Sequence, residues 1–434
     1  MIQSSPFEDK IPFHREMIHE IRDYYITANT PHVHKGYEIL FLPDSLLSWL
    51  VSVLHDNPLP APRPDVPWND LIISLQNHRI HSILSYRLLG KPDICHPPKQ
   101  WKQVIDSSHS HGLSWFRTIA QIAHLDRLFR DKGIDYVLLK GPALAWQVYP
   151  HPSLRESIDI DILIDGHDIQ AVTTCLCEKG YSVRFESSKV SEHIFHHQVF
   201  FPDPMCGTKT IEVHWRPLFL PRATGSITVS DLLSRRIFIH TEIGDIPVLS
   251  LPDSLMLAAT HMCIGHPDEL RLIWIQDIDL ISSYINQKNN WEEVLNVAQD
   301  WQGVLSLKRA MEQASLWIGT KSPPFKAGWP DPSSDEIRLF VHVDRKISGE
   351  SLNLHEQFRE MPNIREKLKV LIYCMSASSE INKTYSSQSL VTKIRAWWNI
   401  VKIQNPHDAD SIRKLLHAIS AWVVGIIRMI FKNK

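Results

Sequence analysis

Residues 155–165 read Arg-Glu-Ser-Ile-Asp-Ile-Asp-Ile-Leu-Ile-Asp. Ile158, Ile160, Ile162 and Ile164 alternate, the period of a buried β-strand, yet Asp159 and Asp161 stand where apolar residues are expected. Residues i and i+2 of a strand share a face, so both carboxylates leave the same side, with Cα atoms roughly 6–7 Å apart. Like charges held so close repel, and burying them alone is costly. The pattern therefore predicts something positive between them.

Two carboxylates on one strand face suit a divalent cation. Mg2+ (or Mn2+) favours carboxylate oxygens together with substrate phosphates, and a pair of such ions can activate a hydroxyl and steady a leaving pyrophosphate. A third acid usually completes such a site. Glu212, in Thr-Lys-Thr-Ile-Glu-Val-His-Trp, lies mid-strand between Ile211 and Val213. A strand beside the first would bring it to Asp159 and Asp161.

The second component is Leu-Leu-Lys-Gly-Pro-Ala-Leu-Ala, residues 138–145. A strand that ends in Lys140-Gly141 and opens a helix presents free N–H groups and the positive end of the helix dipole, which favour a phosphate. Lys140 adds a point charge. Arg155 and Ser157, just ahead of the acidic strand, are further candidates for triphosphate contact. The loop is not a Walker A motif, because G-x-x-x-x-G-K-[ST] is absent.

The surrounding pattern organises the chain. Residues 1–130 read as a helical region, with apolar residues at helical spacing in 68–90 and 113–133 and Gly133 at a C-cap position. Residues 131–245 read as a small mixed α/β core: a strand at 134–141, a short helix, the acidic strand, a helix, then strands at 196–203 and 209–215. Helices return over 246–330. After the proline-rich break at 320–336, residues 331–434 read as a helical tail. The predicted class is α+β, a small mixed sheet flanked by helical regions.

Composition narrows the function. The chain has 434 residues, is 43% hydrophobic and 22% charged, and carries a formal net charge of -2. No global basic field advertises a long nucleic-acid partner. Six cysteines form no disulfide framework and no zinc-like pairing. The N-terminal run has no apolar signal core, so a cytoplasmic location is expected. Residues 418–434 form an apolar stretch cut by Ser420 and Arg428. It reads as a terminal helix docked on the body, with peripheral membrane contact through 412–434 as the alternative.

Several of these runs carry a resemblance. Residues 138–164, the run Ile211–Pro217 and the helix Leu270–Ile281 with its tryptophan are similar to a bacterial family of uncharacterised nucleotidyltransferases, within the superfamily related to DNA polymerase β. Residues 68–88 resemble that family's helical lead-in, so the likeness spans roughly 65–320. It implies transfer of a nucleoside monophosphate from an NTP, with Mg2+ held by Asp159, Asp161 and Glu212. It names no acceptor: a small molecule, peptide, protein or sugar would each serve. Pro142 departs from the superfamily pattern by removing a hydroxyl and an N–H donor at the phosphate turn. It favours a second reading, a catalytically degenerate fold serving as a binding or assembly protein.

Three other motifs have plainer readings. Asp277 and Asp279 repeat the D-I-D letters on a helix, where residues i and i+2 lie about 200° apart; they are not a metal pair. His193, His196 and His197 read as a hydrogen-bonded cluster rather than a metal site. His214 offers a ring for a nucleobase, whereas Trp215 reads as core.

Overall fold

The computed structural model describes residues 16, 18–23, 35–55, 66–89, 102–183, 196–218, 227–267, 269–321, 323–325 and 328–344. The chain divides into two compact units, Met1–Gly349 and Glu350–Lys434, and every described residue belongs to the first. His193, the segment 412–434 and most of the predicted tail lie outside the described residues.

Three helices lead in: α1 (Asp44–Leu54), α2 (Trp68–His78) and α3 (His81–Leu89). The long α4 (Lys102–Lys132) follows and stops at Gly133, whose φ of 66° is the left-handed cap that glycine adopts without penalty. Then come β1 (Tyr136–Leu139), α5 (Lys140–Val148), β2 (Asp159–Ile164), α6 (Ile169–Glu178), β3 (Ser182–Val183), β4 (His197–Phe201), β5 (Thr210–His214), α7 (Val229–Ser234), β6 (Ile237–Thr241) and β7 (Gly244–Val248). The remaining helices are α8 (Leu251–Thr260), α9 (Leu272–Lys288), α10 (Trp291–Asp300), α11 (Val304–Ile318) and α12 (Ser334–Asp344).

The strands form one mixed sheet in the order β3-β4-β5-β2-β1-β7-β6. The acidic strand β2 sits at its centre, antiparallel to β1 and parallel to β5. The hairpin β6–β7, which lies on the far side of β1 through a parallel β1–β7 pairing, extends the sheet beyond the strands read from the sequence.

The alternation on β2 divides the sheet's two faces. Ile160, Ile162 and Ile164 join Tyr136 and Leu138 of β1 and Ile211 and Val213 of β5 in one core, closed by Ile122, Leu125 and Phe129 of α4 and by Ile169, Val172 and Leu176 of α6. Each isoleucine buried there stabilises the fold by roughly 1.5–3 kcal/mol. A slip of one residue would turn these isoleucines out and Asp159 and Asp161 into that core, so the register is strongly specified. Ile158 lies before the strand and is exposed. The acidic face is left for α5, α8 and α9, which pack together over it.

Candidate active site

The β2–β5 register sets Asp161 opposite Glu212 and Asp159 opposite Thr210. Asp161 is buried, and a single oxygen, Oδ1, accepts from Lys140 Nζ at 2.8 Å and from His214 Nε2 at 2.9 Å. The lysine is the positive group that the acidic pair requires. His214 Nε2 also stands 3.6 Å from Glu212 Oε2. Asp161, Glu212 and His214 each offer a donor atom within 4.8 Å of the others. Asp159 is not a member of that group, although its charge is felt by Lys140.

Position decides the charge of each acid. Burial alone would raise the Asp161 carboxyl, but Lys140 and the hydrogen bond from His214 outweigh it and hold the group well below the usual carboxylate range. Burial likewise opposes ionisation of Glu212, and the neighbouring His214 turns the balance downward. Asp159 goes the other way: burial first, then the charges of Asp161 and Glu212, push it up to about 6. Among the described residues no hydrogen bond or ion pair compensates it.

Lys140 and Arg79 offset the rise only in part, and what remains has a measurable sign. Asp159 is harder to ionise folded than unfolded, so folding carries a cost that is complete above about pH 6 and fades as pH falls toward the ordinary carboxylate range near 4. Asp159→Asn should therefore raise Tm at neutral pH, by an amount that shrinks toward pH 4. Thermal melts across that range check it; a variant that melts lower than wild type at neutral pH contradicts the assignment.

The Lys140-Gly141 turn has unusual backbone. Lys140 adopts a φ of 48°, a left-handed conformation that few non-glycine residues take and that concentrates at functional sites. Gly141 follows because nothing larger fits: a Cβ there would lie 2.8 Å from Ser157 Cβ. Gly141→Ala should cost about 1–3 kcal/mol, the usual penalty of overpacking, and displace Ser157. Urea unfolding measures it, and an unchanged midpoint would remove the case for close contact.

Ser157 Oγ accepts from Lys209 Nζ at 2.8 Å. Burial lowers this second lysine to about 8, against the pull of Asp159. Lys209 carries no motif; its only signal is that it precedes the acid-bearing β5. Arg155 lies beside the Lys140-Gly141 turn and is also bound to α9. Its Nε and Nη2 donate to Asp277 Oδ1 and Oδ2 at 2.8 and 2.7 Å, and Nη1 donates to the Glu156 carbonyl. Tyr149 donates its hydroxyl to the same Asp277 Oδ1 at 2.7 Å. The guanidinium is thus enclosed in a buried fork on α9. Asp279 points elsewhere and accepts from Thr320 Oγ1 at 2.7 Å.

The far wall comes from α8 and α9. After Thr260 the helix widens into a π-turn, His261–Gly265, a distortion frequent at functional sites. His261, His266 and Trp274 form an aromatic group with ring centroids 4.6–5.1 Å apart. A small cleft of about 40 Å³ lies between this wall and the Lys140-Gly141 turn, lined by Lys140, Ala143, Arg155, His261, Trp274 and Asp277 among others. His214 is buried against Asp161 and so does not present its ring to a base, and Trp215 belongs to the core. His197 hydrogen-bonds His196 and faces His214 across the β4–β5 ladder.

With this geometry in hand, the family comparison is decisive: the uncharacterised nucleotidyltransferase family matches residues 64–319. The chain belongs to that family. Nucleotidyl transfer is accordingly its general activity class. Among solved structures, the chain is similar to the antibiotic-resistance factor ANT(2'')-Ia, determined in solution, at 10% identity and a TM-score of 0.30, over 45% of this chain and 97% of that one. No curated protein matches. In this family member, no helix among the described residues is long and apolar enough to cross a membrane.

Proposed function

We propose that the protein is a metal-dependent nucleotidyltransferase that moves a nucleoside monophosphate from an NTP to a hydroxyl acceptor and releases pyrophosphate. The observation that carries this reading is the gathering of acids on one face of β2 and β5, where the Lys140 ammonium feels Asp161, Glu212 and Asp159 together. All-oxygen donors with excess negative charge fit a hard divalent cation. Asp159, Asp161 and Glu212 would hold Mg2+ or Mn2+. Bound there, the ion would lower the acceptor hydroxyl's pKa and screen the phosphate charge.

The chain's own groups have separable tasks. Glu212 accepts the hydroxyl proton. His214 fixes Asp161 through Oδ1. Lys140 and the Gly141 N–H receive the pyrophosphate charge at the start of α5, where preformed positive groups need no reorganisation as charge develops. Ser157 contributes by holding Lys209, a second cation, on the same side. Arg155 acts as a positioning residue, because its guanidinium is committed to Asp277.

Incubation with NTPs labelled at the α-phosphate, in Mg2+ or Mn2+ and a small-molecule and protein extract, tests the proposal. Metal-dependent label on an acceptor with equimolar pyrophosphate supports it. Pro142 and the Lys140–Asp161 pair favour the second reading, a binding or assembly protein. Calorimetry with each NTP, with and without Mg2+, separates the two, since metal-dependent NTP binding belongs to the enzyme. Liposome flotation of the full chain against one lacking 412–434 tests whether the acceptor is membrane-borne.

A further inference from the structure

A second constellation lies away from the acidic face. His81 opens α3, His111 lies in the N-terminal third of α4, and Glu156 sits in the turn ahead of β2. Each offers one donor atom, and the three atoms lie within 4.8 Å of one another. His111 Nε2 stands 3.1 Å from Glu156 Oε2, and the other carboxylate oxygen accepts from the Ser82 N–H at 2.9 Å. His81 is 1% exposed, and neither ring nitrogen has a hydrogen-bond partner of normal geometry. An unsatisfied buried polar group costs roughly 1–3 kcal/mol, which a ligand for its lone pair would offset.

The chemistry of the donors selects the ligand. Two imidazoles and a carboxylate suit Zn2+, which takes three protein ligands and leaves a fourth position for water. Mg2+ prefers oxygen alone and keeps its own waters. We propose that His81, His111 and Glu156 bind a first-row divalent transition ion, Zn2+ in the first instance, that ties α3 and α4 to the turn leading into β2. The Ser82 N–H holds the carboxylate from behind, the kind of outer contact that orients a metal ligand. Arg155 and Ser157 flank Glu156, so the ion stiffens the turn that carries both.

The test uses untagged full-length protein, stripped with chelator and then dialysed against Zn2+ or Co2+ in excess Mg2+ without nucleotide. Metal content and the visible absorption of Co2+ report the site directly. Wild type should retain one Zn2+ per chain and melt higher with it. His111→Ala removes a side chain that is 38% exposed on a helix surface, so the fold should persist by circular dichroism. Its affinity should fall by at least about 10-fold, the size that even outer contacts of a metal produce. His240→Ala should keep full uptake, because that exposed histidine lies outside the trio and off the acidic face. Equal uptake by wild type and His111→Ala, or no uptake by wild type, overturns the proposal.

Discussion

Asp161→Asn should lower nucleotidyl transfer about a thousand-fold or more, the scale on which removing preorganised charge stabilisation acts. The argument starts from one atom. Asp161 Oδ1 receives both Lys140 and His214, so the carboxylate is where the Lys140-Gly141 turn, the acid strand and β5 meet. Asparagine keeps a carbonyl oxygen for those two donors and nearly the same volume, so the fold should survive. What it loses is the negative charge that would hold the cation. The effect on stability has the opposite sign to that at Asp159. Asp161 ionises more readily folded than unfolded, so its carboxylate contributes stability above the ordinary range near pH 4 and loses it as pH falls below. The variant should therefore be less stable than wild type at neutral pH and converge with it in acid. Pyrophosphate release and thermal melts measure the two effects. Full activity in a folded Asp161→Asn protein would falsify the assignment of the site.

The second large effect is structural. Asp277→Ala leaves the Arg155 guanidinium buried without its counter-charge and strips the Tyr149 hydroxyl of its acceptor. Breaking one side of a buried pair costs about 3–5 kcal/mol, a large fraction of the stability of an ordinary domain. Replacing both partners together, Arg155→Met with Asp277→Leu, should restore much of the loss, because no buried charge is stranded. Denaturant midpoints for the two singles and the double give the coupling. A double variant that falls as far as the sum of the singles would show that the fork is not a closed unit.

How much of this was readable depends on how far each signal travels along the chain. The β2 strand announced its two faces in seven residues, because side-chain alternation is local. The Lys140-Gly141 turn was legible for the same reason, although the contact that demands glycine, Ser157, had to be seen. The ion pair of Arg155 was not legible because its partner is 122 residues away on α9. A lone arginine beside an acid-rich strand looks the same whether it meets phosphate or a distant aspartate. Asp277 reads as no part of a metal pair, and nothing in its helix revealed that it receives Arg155. The β6–β7 hairpin was missed because β6 is largely exposed and β7 contains Pro247, so neither shows clean alternation. Lys209 and His81 carry no motif, and their neighbours assemble only in three dimensions.

The Arg155–Asp277 fork also bears on motion. It joins the segment that feeds the central strand to the helix forming the opposite wall of the cleft. Drawing that helix away would break two charge-assisted hydrogen bonds at once, so the fork resists opening at this seam. The fork thus ties the spacing of the cleft's two walls to one bidentate ion pair.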